Sequence, residues 1–235
     1  MKTSNKIILI SLAALGGLVV TAAVISRVLI GAGLDQADRG AATVHTENFK
    51  DFTAIEASAE WELHVSRGDS YAVTLSINKN AERNLIIRRE GDTLVLGQRR
   101  PGWGARPRSS WRADIIMPAI DRLDFSGVGS VTLSGFSGGR LRVSSSGAGE
   151  VKCRDSSFEN VSISLSGVGS VDFSDARTVN ADVDLSGLGS LKLRMDGGEL
   201  RGDMSGLGSI EYTGTVSAER ISKTGLGSVE HKYTQ

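Results

Sequence analysis

A five-residue phrase returns six times in this chain at an almost fixed interval. It reads Ser126-Gly127-Val128-Gly129-Ser130, Ser146-Gly147-Ala148-Gly149-Glu150 and Ser166-Gly167-Val168-Gly169-Ser170. The series continues as Ser186-Gly187-Leu188-Gly189-Ser190, Ser205-Gly206-Leu207-Gly208-Ser209 and Thr224-Gly225-Leu226-Gly227-Ser228. The starts lie 20, 20, 20, 19 and 19 residues apart. A period near 20 marks a solenoid, in which each coil covers the apolar residues of the coil before it.

The internal geometry of a coil follows from its columns. Val131, Val151, Val171, Leu191, Ile210 and Val229 share one position, and Leu123, Val143, Ile163, Val183, Gly202 and Ile221 share another. A further column is the middle residue of the phrase: Val128, Ala148, Val168, Leu188, Leu207 and Leu226. Two-residue apolar steps on either side of the phrase are strand alternation. Three-residue steps across it predict a corner that turns around one inward apolar residue, with the flanking glycines taking φ > 0. Each coil is then a strand, a glycine corner, a second strand and a looser return such as Gly135-Phe136-Ser137-Gly138-Gly139. Stacked at about 4.8 Å, six coils make a rod roughly 25–30 Å long. The serine columns predict hydroxyl ladders bonded to one another or to the corner backbone. They are not read as nucleophiles, because none of these column serines stands in a Gly-x-Ser-x-Gly elbow.

Glycine is abundant at 29 residues and proline scarce at 3, which fits repeated corners within alternating strands better than disorder. The chain carries 27 basic and 27 acidic residues, so no global field points to a polyanionic or polycationic partner. Residues 49–119 alternate without the repeat, in segments Phe52 to Ile55, Trp61 to Val65, Tyr71 to Ile77, Leu85 to Ile87 and Leu94 to Leu96. Arg67-Gly68-Asp69 and Glu90-Gly91-Asp92 are expected to be hairpin turns there. This part either caps the open end of the solenoid or forms its first irregular coils. The organisation expected is an apolar segment over 1–34, a polar linker over 35–48, the cap over 49–119 and the repeats over 120–235.

Lys2 and Lys6 precede the apolar run from Ile7 to Val20, which continues past Arg27 to about Leu34. That length suits a membrane-spanning helix, while Thr21-Ala22-Ala23 or Gly31-Ala32-Gly33 would suit a signal-peptide cleavage site. Under both readings the rest of the chain lies outside the cytoplasmic membrane.

Cys153 is the only cysteine and falls in the column Leu133, Cys153, Phe173, Leu193, Tyr212, His231, so it reads as a small buried hydrophobe. His45, His64 and His231 lack metal-pair spacing, and no metal or cofactor is implied. Asp172, Asp182 and Asp184 are the nearest thing to a carboxylate group for glycan cleavage. Alternation puts Asp182 and Asp184 on the outer face, as solvated charges. Two Arg-Gly-Asp triplets, at Arg67 and Arg201, are short motifs; the first serves a turn and the second lies in a strand. The most distinctive polar stretch runs from Arg99 to Arg112, with no acid between Asp92 and Asp114. Arg99, Arg100, Arg106, Arg108 and Arg112 suit phosphate or carboxylate, and Trp103 and Trp111 suit stacking on sugars. This loop is the candidate site for an anionic envelope polymer, a lipid headgroup or an acidic polysaccharide. The bland alternative is a soluble hairpin tip. An exported location speaks against nucleic acid.

Several of these segments together resemble a known family. They are Phe52-Thr53-Ala54-Ile55, Leu63-His64-Val65-Ser66-Arg67-Gly68-Asp69, Gly91-Asp92-Thr93-Leu94-Val95-Leu96 and Ile115-Ile116-Met117-Pro118, followed by the repeats. In order and spacing they resemble the "putative auto-transporter adhesin, head GIN domain" family from about Phe49 onward. The resemblance implies a right-handed β-helix in the periplasm or at the cell surface, and it implies no catalytic residues. The expectation is therefore an all-β, single-stranded β-helix with coils of about 20 residues behind an apolar helix, acting as a non-enzymatic envelope interaction or adhesion module. A polysaccharide-acting β-helical enzyme and a scaffold for a membrane partner are the alternatives. Oligomeric state is open.

Overall fold

The computed structural model describes residues 42–78, 85–99 and 111–233, and every regular element among them is a strand. The apolar segment over 1–34 lies outside the described residues, as does the first part of the expected linker. In chain order the amino-terminal strands are β1 (Ala42–Glu47), β2 (Ala54–Ala57), β3 (Glu60–Arg67), β4 (Ala72–Asn78), β5 (Leu85–Glu90), β6 (Thr93–Gln98) and β7 (Trp111–Met117). The repeats supply β8 (Arg122–Phe125), β9 (Val128–Ser134), β10 (Ser137–Ser145), β11 (Ala148–Leu165), β12 (Val168–Leu185) and β13 (Leu188–Asp196). They end with β14 (Glu199–Met204), β15 (Leu207–Thr215), β16 (Ala218–Lys223) and β17 (Leu226–His231).

The repeats form a β-solenoid. Strands that follow the glycine phrase stack in parallel in the order β9, β11, β12, β13, β15, β17. Strands that precede it stack as β8, β10, then the second halves of β11 and β12, then β14 and β16. The column from Val131 to Ile210 and the column from Leu123 to Val183 are buried, as the alternation predicts. Cys153 sits in the core between its ladder partner Leu133 and Phe173. The return is tighter than expected: β11 and β12 each run 18 residues, and Ser137 pairs with Ser157 and Gly138 with Phe158.

The middle residue of the phrase corrects the sequence reading. Val128, Val168, Leu188, Leu207 and Leu226 are 54, 56, 48, 47 and 79% exposed, and Ala148 is exposed with them. The alternation is not broken at the corner. It continues through the phrase with the two glycines in the inward phase, which turns the apolar residue between them outward. The five serines and Thr224 that open the phrases are also exposed, and among the described residues their hydroxyls do not bond to one another.

The glycines are required mainly by close approach. A Cβ on Gly147 would lie 1.8 Å from the carbonyl oxygen of Gly127, and one on Gly167 would lie 1.9 Å from that of Gly147. Neighbouring coils thus touch backbone to backbone at this corner. Among the glycines of the phrase, positive φ is confined to the second one in three coils, at Gly129, Gly169 and Gly208.

At the amino-terminal end, stacking order departs from chain order. The coil made by β2 and β3 lies between the coil of β6 and β7 on one side and that of β8 and β9 on the other. The chain therefore enters at the second level, makes the first level later, and passes over to the third. Strand β4 pairs antiparallel with β7, β1 with β4, and β5 with β6. Within residues 49–119 two pairs of strands form coils, and the antiparallel strands border the first of them. Gly91, at φ 61°, turns the β5–β6 hairpin with Glu90 opposite Thr93. Arg67-Gly68-Asp69 is not a hairpin turn, because β7 lies between β3 and β4. Ala42–Glu47, expected within the linker, is the strand paired with β4.

The carboxyl-terminal coil ends the stack with polar residues in its inward columns. Glu219 follows Leu200, Lys223 follows Met204, and His231 follows Tyr212, each as direct ladder partners. Charges facing along the stack oppose the addition of another coil.

Gly167→Ala should cost about 3 kcal/mol, lowering Tm by roughly 5–10 °C, because its Cβ meets rigid backbone. Gly91→Asn, whose site is open and left-handed, should stay within about 1 kcal/mol. Converting the last coil with Glu219→Leu and Lys223→Leu should promote end-to-end association, read as concentration-dependent growth in light scattering. Unchanged scattering would show that the polar end is not what blocks stacking.

Candidate functional site

The arginine and tryptophan run is interrupted by the fold. Its flanking strands β6 and β7 do not pair with each other; β6 pairs with β2 and β5, and β7 with β3 and β4. The two ends of the run therefore lie on strands of different ladders. Arg99 is exposed at the end of β6. Arg100, Trp103, Arg106 and Arg108 lie outside the described residues.

Trp111 opens β7 and is 1% exposed, so it presents no face to a sugar. Its ring stands edge-on to Trp61, with centroids 5.1 Å apart and planes at 67°. Trp61 in turn is the ladder partner of Gly129. The two indoles therefore fill the core at the level where later coils carry glycine. Arg112 is half-buried, and its guanidinium donates two 3.1 Å hydrogen bonds to the Asp114 carboxylate, with Glu62 at 3.6 Å. The hydrogen bond to Asp114 raises its pKa against the effect of burial, and the charges of Asp114 and Glu62 add to the rise. Arg112 is a structural ion-pair member rather than a free anion receptor.

A second polar surface was not anticipated. Strands β10, β11, β12 and β14 frame an open depression of about 540 Å³ on the face that precedes the glycine corner. One of its columns reads Arg140, Asn160, Asn180 and the next Arg142, Ser162, Asp182, Arg201. Asn160 donates to the Gly139 carbonyl at 3.3 Å, Asn180 donates to Asn160 Oδ1 at 3.3 Å, and the Glu199 amide donates to Asn180 Oδ1 at 3.0 Å. Asp182 is held by Arg201 at 3.0 Å. Among the described residues, Arg140 and Arg142 have no acidic partner, which leaves two guanidinium groups facing solvent beside an asparagine ladder. The signal was present in the sequence, in the polar columns that alternate with the apolar ones.

The carboxylates are not arranged as a catalytic pair. Asp182 and Asp184 are on the outer face of the stack before the corner, as alternation predicted, and Asp172 is in the stack after it. Burial works to raise the Asp172 pKa, but hydrogen bonds from the Ser174 hydroxyl and amide, with Lys192 and Arg154 nearby, hold it below the usual range. His64 lies 3.0 Å from Glu62, and His231 stacks on Tyr212 at 4.6 Å. No group of three His, Cys, Asp or Glu among the described residues could hold a metal ion. Of the Arg-Gly-Asp triplets, Arg67 donates to Ser137 at 2.8 Å and Arg201 is bound to Asp182, so neither guanidinium is free.

A parallel solenoid with this glycine corner is matched by a family model. Residues 51–191, more than half of the chain, match the family described as "putative auto-transporter adhesin, head GIN domain". The chain belongs to that family. Solved structures agree in fold. A "putative adhesin" from Bacteroides fragilis superposes with a TM-score of 0.66 at 18% identity, over 81% of this chain and 97% of that one. One from Parabacteroides merdae gives 0.52 at 14% identity, over 83% and 98%. A "putative lipid binding protein" from Parabacteroides distasonis gives 0.52 at 17% identity, also over 83% and 98%. No match is found among curated proteins. The family and these neighbours are described as adhesins or a lipid-binding protein, not as enzymes. The family description fits a protein of the cell surface or envelope. Among the described residues no helix is long and apolar enough to cross a membrane.

The buried thiol supplies a check on the register. Burial pushes Cys153 up to about 12. It should therefore resist alkylation in the native protein at pH 8 and react only as fast as the chain unfolds. Rapid labelling of folded protein would place Cys153 outside the core.

Proposed function

We propose that this member of the adhesin family is a non-enzymatic binding module of the cell envelope whose ligand is an anionic polymer or headgroup. The observation that carries this reading is the pair Arg140 and Arg142, free of acidic partners and set beside the Asn160–Asn180 ladder in an open depression. Guanidinium forks match carboxylate and phosphate oxygens, and the amides add directional contacts to hydroxyl groups. Arg99, exposed after β6, and the Arg100, Trp103, Arg106 and Arg108 that follow it in sequence offer a second cationic element. Trp111 and Arg112 drop out of the ligand set because the core and Asp114 engage them. In this reading the apolar segment over 1–34 is either a membrane anchor or a signal that is cleaved on export. A structural neighbour described as lipid-binding makes an acidic headgroup a specific version of the same chemistry.

Turnover is disfavoured because Asp182 is tied to Arg201 and Asp172 is held ionised. Hydrolysis of an acidic glycan lost in Asp182→Asn would reverse that conclusion.

The direct experiment is sedimentation of the full chain with immobilised acidic polysaccharide and with phosphatidylglycerol-containing vesicles, across a salt series. Arg140→Ala with Arg142→Ala should lower binding several-fold and flatten its salt dependence. A parallel variant changes Arg99, Arg100, Arg106 and Arg108 to Ala and leaves Trp111 in place. Retention on only one of the two supports identifies the source of the anion. Equal binding of all three proteins, or binding to neutral supports alone, would refute an anion-binding role.

A further inference from the structure

The outward apolar column is a continuous ridge. Val128, Ala148, Val168, Leu188, Leu207 and Leu226 are successive ladder partners, so they stand about 4.8 Å apart along roughly 24 Å of the rod. Single exposed aliphatic residues need no explanation, but one placed outward at each of six successive levels, next to Glu60 at the level before them, forms a contiguous strip. Serine or threonine lines one side and serine or Glu150 the other. Beyond them run two further columns. One reads Thr132, Lys152, Asp172, Lys192, Glu211, Glu230, and the other Asp124, Ser144, Ser164, Asp184, Asp203, Ser222.

We propose that this ridge docks on the same ridge of a second copy of the chain, antiparallel, about a two-fold axis lying between the levels of Val168 and Leu188. Such an axis, perpendicular to the rod and in the contact plane, reverses the ladder and sets each flanking column against its own equivalent. Lys152 then faces the partner's Glu211, and Asp172 faces the partner's Lys192, each pair occurring twice. On the other flank every aspartate faces a serine: Asp124 with Ser222, Asp203 with Ser144, and Asp184 with Ser164. No like charges meet in either column. The ridge is complementary in size as well, with Val128 opposite Leu226, Ala148 opposite Leu207 and Val168 opposite Leu188. Every contact pairs a leucine with a smaller residue.

A parallel arrangement lacks these properties. An axis along the rod sets Ala148 on Ala148 and leucine on leucine, and it brings Glu211 against the partner's Asp203. A lipid surface is a poorer occupant, because Asp184, Asp203, Glu211 and Glu230 border the ridge and an anionic leaflet would repel them. The apolar part of the contact is a single column of side chains with polar columns on either side, well below the apolar burial of a standard interface of about 1,600 Å², so the dimer is of the weak class that forms where copies are concentrated.

Full-length chains carrying Ala148→Cys and Leu207→Cys, with different tags, are co-expressed and oxidised in intact cells. The antiparallel dimer brings these two positions together. Each lies about 14 Å from its own equivalent, beyond the about 7 Å Cα limit of a disulfide. The mixed disulfide should exceed either self-linked product at least tenfold, and native Cys153 is too deeply buried to compete. Lys152→Glu in both chains should cut the yield several-fold, and adding Glu211→Lys should restore it. Within one chain those residues are three levels apart, so restoration reports the contact between copies and not refolding of one. Self-linked products equal to the mixed one, no restoration, or linkage only to another protein would overturn the proposal. A loss of anion binding elsewhere on the rod would leave this result unaffected.

Discussion

The close approach of backbone to backbone at the glycine corner is the constraint from which the rest of the molecule follows. Coils held by parallel hydrogen bonds stand about 4.8 Å apart all the way round. At the corner, a carbonyl of one coil occupies the space where a side chain of the next would begin, as Gly147 and Gly167 illustrate. Glycine is then the only residue that keeps both strands of a coil in register with their neighbours. Because register is kept, the inward columns remain continuous and bury Val131 through Ile210 in one core with Leu123 through Val183. The outward columns remain continuous for the same reason. A charge or an aliphatic group placed once per coil becomes a row.

Rows of this kind give the protein its recognition surfaces without any conventional pocket. Arginine above serine above aspartate above arginine makes a polar strip with some charges neutralised and some free. Asparagine above asparagine makes a bonded ladder that holds its amides at fixed spacing. The exposed pairs between coils, such as Arg201 with Asp182 and Arg220 with Glu199, add little stability, since solvent screens them. Their consequence is to decide which arginines are already engaged. Stability resides instead in the apolar columns, and in the two tryptophans that fill the first levels where glycine is absent.

The ends of the rod are treated differently. At the start, the chain borders the first level with antiparallel β4, β5 and β1. At the finish, Glu219, Lys223 and His231 stand in columns that are apolar elsewhere except at Ser145. Strand addition at a sheet edge is opposed by charges that would have to be buried by the next coil. The side of the rod, with its apolar ridge, lacks such a device.

Much of the architecture was legible in the repeat. Its period defined the coil, its columns identified the core, and Cys153 was placed inside by column membership alone. The turn at Gly91 could be read from a glycine between alternating runs. Three features could not be read. The orientation of Val128 and its equivalents depends on the phase of alternation through two glycines, and glycine carries no side chain to report that phase. The position of β7 between β3 and β4 depends on pairings between strands distant in the chain, to which local turn chemistry is blind. The burial of Trp111 depends on Trp61 lying at the next level, a neighbour set by the exchange of coil order. Sequence periodicity determined that equivalent residues would align, because parallel hydrogen bonding has one spacing. Only the tertiary structure decided which rows face water, because that depends on how each coil closes upon its neighbour.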